Sequence, residues 1–263
     1  FGLRLGESPK VIVTTTPKPI PLVKDLVKRK DTIITRGSTF ENEKNLADSS
    51  LKQLKERYEG TRLGRQELYA EVLEDVSGSL WSRDLIEKSM MKYNEKLPDM
   101  KRIVIAVDPA VTANKNSDET GIVVCGIDFQ GKYYILNDIS GKYSPDAWAK
   151  KVVEAYESYK ADKVIAEVNN GGDLVERVVK TQHESVSYKS VRATRGKFVR
   201  AEPIAALYEQ KRVKHLERFS LLEDQLCSYN PEITKQSPDR LDALVWGLTE
   251  LSARSGIASW KIS

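Results

Sequence analysis

The chain has 263 residues, 40% hydrophobic and 30% charged, with a formal net charge of +4. That suits one large globular domain or two small ones and excludes a disordered polyelectrolyte. No apolar run approaches the roughly 20 residues of a membrane span, and Phe1-Gly2-Leu3-Arg4 does not open a signal peptide.

The start at Phe1 rather than Met is what a fragment or a processed product would show. The two cysteines, Cys125 and Cys227, are far apart and form neither a disulfide framework nor a metal motif. Cys125 reads as a core residue in a reducing, intracellular setting. With only His183 and His215 available, a zinc site is not expected, and any metal would take oxygen ligands. The modest positive charge permits nucleic-acid binding without requiring it.

Val11 to Thr16 is β-branched and is predicted as a short strand, stopped by Pro17-Lys18-Pro19. A short helix is predicted over Leu22–Lys30 and a second strand over Asp31–Arg36. A helix from Ser50 to Glu59 carries Leu51, Leu54 and Tyr58 on one face, and another is expected around Leu63–Leu73. This alternation predicts an α/β segment over residues 1–80 with a thin core. No G-x-x-x-x-G-K-[ST] phosphate loop occurs in the chain, so a complete ATPase of that class is excluded. Residues 81–100 read as a linker, helical from Trp81 to Lys92 and broken at Pro98.

Residues 101–263 form the second predicted domain. Ile103-Val104-Ile105-Ala106-Val107 is a buried strand that ends on Asp108, and Pro109 then stops it. Strands Gly121–Ile127 and Lys132–Asp138 follow at hairpin spacing. Pro145 opens a helix to about Lys160, with Trp148, Val152, Ala155 and Tyr159 at helical spacing. The strand Lys163–Val168 is reached through that helix, which predicts a parallel partner for the first strand. Next come a helix over Asp173–Gln182, a strand over Ser187–Ala193 and a helix over Val199–Gln210. Val213–Leu216 is short and extended, Leu221–Tyr229 helical, and Asp239–Ala253 a closing amphipathic helix. Three antiparallel strands followed by parallel ones, with helices between, is a ribonuclease H-like mixed sheet.

A carboxylate at the mouth of a buried strand needs a partner or a cap role. Alone, Asp108 would read as a turn cap. Glu167 ends its own strand in the same way, and adjacent parallel strands would bring both to one sheet edge. Asp242 borders the apolar stripe Leu241, Leu244, Val245 and Leu248 of the closing helix, with Ala243 and Gly247 allowing close packing. Three clustered carboxylates repel one another unless a cation sits between them. An all-oxygen set favours Mg²⁺ or Mn²⁺, and two ions about 3.5–4 Å apart would support in-line hydrolysis of a phosphodiester. Asp239 is either a fourth ligand or a plain helix start. Asp118 either reaches the same edge or orders the turn before the second strand. Lys189, Arg192, Arg195, Lys197 and Arg200 are either a solvated basic loop or phosphate contacts beside that edge. Lys211, Arg212 and Lys214 form a second basic group.

Asp108-Pro109-Ala110, Ala166-Glu167-Val168-Asn169-Asn170-Gly171-Gly172 and Asp239-Arg240-Leu241-Asp242-Ala243-Leu244-Val245-Trp246 resemble the nuclease domain of phage large terminase subunits, the DNA-packaging motors. Phe1–Gly6, Thr14-Thr15-Thr16-Pro17-Lys18-Pro19 and Gly60–Leu68 resemble the end of the terminase ATPase domain. The resemblance implies a partial P-loop-ATPase-type segment ahead of the nuclease, with its nucleotide-binding loop and acidic strand motif expected upstream of Phe1. ATP would therefore serve only a full-length protein, where Thr14, Thr15 and Thr16 would couple hydrolysis to motion. It further implies that Asp108, Glu167 and Asp242 bind the catalytic metals and that the nuclease cuts concatemeric double-stranded viral DNA. Portal protein and small terminase subunit are the implied partners, with an oligomer expected only in the assembled motor, in the cytoplasm of a bacterial host carrying a phage or prophage. Two other readings are a ribonuclease H-like resolvase or transposase, and an inactive prophage remnant that acts as a binding module.

Overall fold

A computed structural model describes residues 8–15, 21–58, 65, 68–71, 78–110, 119–168, 172–193, 196–230 and 238–253. The chain divides into two compact units, Phe1–Glu74 and Asp75–Ser263.

The first unit contains α1 (Pro21–Lys28), a 3₁₀ turn (Thr39–Asn45) and α2 (Asp48–Tyr58). Ser38 and Glu41 form a reciprocal capping box that starts the 3₁₀ turn. The backbone N–H of Thr39 donates to Leu68 O at 2.8 Å, and Val23, Leu51 and Leu68 are buried. The strands expected over Val11–Thr16 and Asp31–Arg36 do not form among the described residues. β-Branched residues favour a strand only where a neighbour completes the ladder. Here Ile12 and Ile33 are 88% and 93% exposed. The helix expected around Leu63–Leu73 falls mostly outside the described residues. Within that span, residues 68–71 are turn and irregular backbone, and Ala70 has a left-handed φ of 53°.

The second unit is built on six strands. These are β1 (Met100–Asp108), β2 (Gly121–Asp128), β3 (Tyr133–Asp138), β4 (Lys163–Glu167), β5 (Tyr188–Val191) and β6 (Val213–His215). Their order in the sheet is β5-β4-β1-β2-β3-β6. β1, β2 and β3 are antiparallel neighbours, whereas β4 runs parallel to β1, β5 to β4 and β6 to β3. The short Val213 segment is thus a sixth strand at the sheet edge.

The helices are α3 (Arg83–Ser89), α4 (Pro145–Ser158), α5 (Gly172–Gln182), α6 (Lys197–Glu209), α7 (Ser220–Ser228) and α8 (Asp239–Ala253). Strand periodicity divides the core into two layers. Val104, Val123, Cys125 and Ile165 face α6, α7 and α8, together with Trp81 and Ile86 from the segment read as a linker. Ile105, Val107, Ile122 and Val124 face α4 and α5, including Trp148, Val152 and Val179. Both faces are covered, which explains why β1 and β2 read as continuous apolar runs.

α8 lies directly on the centre of the sheet. A Cβ at Gly247 would fall 2.7 Å from Cys125 Sγ and 3.3 Å from Ala106 Cβ, so only glycine permits this approach. Among the described residues no helix is long and apolar enough to cross a membrane.

Candidate metal centre

Three elements deliver the acidic residues. β1 ends on Asp108 and its parallel neighbour β4 ends on Glu167, so both carboxylates emerge at one edge of the sheet. The first turn of α8 brings Asp239 and Asp242 to that edge. Asp108 pairs in register with Gly121, and a Cβ at Gly121 would fall 1.9 Å from the Asp239 carbonyl oxygen. The helix start therefore rests against the strand pair that carries Asp108.

The burial is deep for charged groups: Glu167 is 8% exposed, Asp239 6% and Asp242 1%. Burial, then the negative charges of Asp242, Glu167 and Asp239, push the Asp108 carboxyl well above the usual carboxylate range. Burial also pushes Asp242 up, against the opposing pull of Lys197 and Arg200.

Two cations of α6 compensate part of this charge. Lys197 Nζ lies 2.5 Å from Asp242 Oδ2. Arg200 spans two carboxylates, with Nη1 3.5 Å from Glu167 Oε2 and Nη2 3.3 Å from Asp242 Oδ1. Trp246 Nε1–H donates to Glu167 Oε2 at 2.5 Å, and the Arg200 guanidinium lies 4.6 Å from the Trp246 ring centroid.

Of the basic residues expected to meet phosphate, Lys197 and Arg200 thus turn onto the carboxylates, Arg192 is exposed, and Arg195 lies outside the described residues. Lys189 pairs instead with Glu250 on α8, at 2.5 Å. Asp118 and Thr16 also lie outside the described residues. Thr14 and Thr15 are exposed and line a groove of the first unit with Val23, Leu26 and Ile33.

Two residues that set this geometry escaped the sequence reading. Arg240, 4% exposed, donates from Nε to Glu119 Oε2 (2.9 Å), from Nη1 to Asp138 Oδ2 (2.7 Å) and from Nη2 to Ser140 O (3.3 Å). Gln225 Oε1 accepts the backbone N–H groups of Arg240 and Leu241, capping α8 from α7. Arg240 lies inside the Asp239–Asp242 motif, and its position between two candidate ligands was the available signal.

The donor chemistry fits a hard divalent cation, because the set is all carboxylate oxygen and carries excess negative charge. Among the described residues no three such groups stand ready-made as a ligand set. Arg200 and Lys197 instead neutralise part of the cluster.

A mixed sheet with carboxylates at the ends of two parallel strands and on a helix laid across them defines a ribonuclease H-like nuclease fold. The family model "Terminase RNaseH-like domain" matches residues 105–251, and "Terminase large subunit, T4likevirus-type, N-terminal" matches residues 1–88. The chain belongs to the phage terminase large subunit family. Its fold is shared with the large terminase nuclease domain of phage P22, at 15% identity and TM-score 0.52 over 66% of this chain and 92% of that one. The large terminase of a thermophilic bacteriophage gives 11% identity and TM-score 0.51, over 88% of this chain and 57% of that one. The large terminase nuclease of a further thermophilic phage, G20c, with bound cobalt gives 14% identity and TM-score 0.50, over 66% and 98%. No curated protein matches the sequence.

Proposed function

We propose that this chain is a metal-dependent endodeoxyribonuclease that cuts concatemeric double-stranded viral DNA during genome packaging. The observation that carries this reading is the convergence of three carboxylates at one sheet edge: Asp108 and Glu167 end adjacent parallel strands, and one guanidinium, that of Arg200, contacts both Glu167 and Asp242. Family membership and the cobalt bound by the G20c relative agree with it.

In this reading Asp108, Glu167 and Asp242 hold Mg²⁺ or Mn²⁺, two ions being the number such a set serves. Asp239 is the fourth carboxylate, supported by its burial and its influence on Asp108. The bound cations supply charge neutralisation at the phosphate and activation of water. The chain's own residues orient the ligands. Trp246 fixes Glu167 through its indole N–H, Arg240 and Gln225 fix the start of α8, and Gly121 lets that start approach β2 beside Asp108. Arg192 and Arg195, joined by Lys197 and Arg200 once metal releases these two from the carboxylates, contact DNA phosphates.

Residues 1–80 are read as the end of an ATPase domain, 81–100 as a linker and 101–263 as the nuclease; family models spanning residues 1–88 and 105–251 agree with two parts but not with a boundary at residue 80. Thr14–Thr16 would couple ATP hydrolysis to DNA movement in an intact motor, assembled on a portal protein with a small terminase subunit in the bacterial cytoplasm.

Nicking of supercoiled plasmid in Mg²⁺ or Mn²⁺ tests the activity. Cutting should require the metal, stop in EDTA and be abolished by Asp108→Ala. Robust cutting by that variant would refute the assignment, and cleavage confined to branched DNA would point to a resolvase.

A further inference from the structure

Arg200 holds a position that phosphate binding alone does not explain. It sits three residues after Lys197 in the first turn of α6, so both project from one face of that helix. Its side chain is only 11% exposed. The guanidinium reaches Glu167 and Asp242 together while lying over the Trp246 ring. The residue that stacks on Arg200 is the one that hydrogen-bonds Glu167.

The fit of the guanidinium is nonetheless loose. Contacts of 3.3 and 3.5 Å are long for charge-assisted hydrogen bonds, which close to about 2.7–2.9 Å. Neither carboxylate receives the two-pronged grip that arginine can make, and the buried Nε has no hydrogen-bond partner among the described residues. Arg200 therefore neutralises two carboxylates from different elements without satisfying either fully.

We propose that Arg200 is a positioning residue that acts as a built-in counter-ion: it keeps Glu167 and Asp242 together in the metal-free protein and competes with the divalent cation for them. A cation bridging these carboxylates removes the charge that retains Arg200. The side chain can then turn towards the phosphates assigned to it above. The inference rests on the reading of Glu167 and Asp242 as metal ligands.

The test is calorimetric titration of Mn²⁺ into the full 263-residue chain, comparing wild type with Arg200→Gln and Arg200→Lys. Arg200→Gln should bind Mn²⁺ about tenfold more tightly, the step expected from about 1.4 kcal/mol of lost competition, and its metal-free form should melt at a lower temperature. Arg200→Lys, which keeps the charge but lacks paired nitrogens that reach one carboxylate each, should fall between the two. If wild type binds Mn²⁺ and Arg200→Gln binds it no more tightly, the competition is refuted and the metal site stands. If neither binds, the metal-ligand reading fails and the competition falls with it. Should Arg200→Gln not fold, Mg²⁺ titration of wild type followed by tryptophan emission decides. Displacement of Arg200 from Trp246 should change the emission, and Trp246→Phe should remove that change. A silent titration at Mg²⁺ concentrations that raise the melting temperature would overturn the proposal.

Discussion

Gly121 and Asp239 meet backbone to backbone: a Cβ on the glycine would fall 1.9 Å from the aspartate's carbonyl oxygen. Asp108 is the in-register partner of Gly121 on the neighbouring strand. One close contact therefore sets the distance between the carboxylate of β1 and those of α8. Gly121→Ala must push the helix start away, because the clashing atoms are main chain and cannot rotate aside. Such overpacking costs about 1–3 kcal/mol. We expect a stability loss of that size in urea unfolding, together with loss of plasmid nicking in protein that remains folded. Full nicking by Gly121→Ala would show that the helix start does not position the site.

Arg240 anchors the same turn from the other side. It is buried, and it ties α8 to Asp138 at the end of β3 and to Glu119 before β2. Arg240→Met keeps the bulk but leaves Asp138, itself 4% exposed, without its cation. Removing one partner of a buried pair costs about 3–5 kcal/mol. Chemical denaturation of Arg240→Met, Asp138→Asn and the double variant should give a coupling energy above about 1 kcal/mol. Additive losses would mean that the pair does not act as a unit.

The nuclease half of the fold was largely legible because its signals are local. Apolar β-branched runs ending at Asp108 and Glu167, and the stripe Leu241–Leu248, report burial directly through their spacing. The first unit was less legible. Val11–Val13 has strand propensity, but propensity does not say whether a partner strand exists, and the structure leaves these residues exposed. The direction of Lys197 and Arg200 was also hidden. A run of basic residues reads alike whether it faces solvent or an acidic site, and only the approach of α6 to α8 decides. Arg240 was missed for a related reason: its partners lie 121 and 102 residues away.

The crowding of negative charge at Asp108 predicts a trade of stability for function. Its carboxyl takes up a proton more readily than usual, because burial and three neighbouring carboxylates disfavour the charged form. A carboxyl raised in this way contributes most to stability at low pH, where it is protonated, and that contribution is lost as pH rises through its folded value. Asp108→Asn removes the repulsion. The metal-free variant should therefore be more stable than wild type at neutral pH, with the gap closing towards pH 3. Nicking should fall at least about a hundredfold, because several kcal/mol of metal-assisted stabilisation are lost. Mg²⁺ should raise the melting temperature of wild type but not of the variant. A less stable metal-free Asp108→Asn would argue that the carboxylate serves as a structural cap.

Glu250 gives the opposite pH dependence at the far end of α8. It is 5% exposed and accepts from Arg102 Nη2 at 3.0 Å and from Lys189 Nζ at 2.5 Å, which ties the helix to β1 and β5. Burial alone would raise its carboxyl, but the hydrogen bonds and charges of Lys189 and Arg102 outweigh it and hold the group below its usual range. A depressed carboxyl contributes stability that is present above its unfolded value of about 4.3 and is lost as pH falls through the folded value. Glu250→Gln should cost about 2 kcal/mol at pH 7, a discounted figure because Lys189 is 45% exposed and partly screened. The two proteins should converge in acid, where wild type also carries a neutral side chain at this position. Urea unfolding of both at pH 7 and pH 3 checks the sign: a difference that persists unchanged at pH 3 would assign the role of Glu250 to packing rather than to charge.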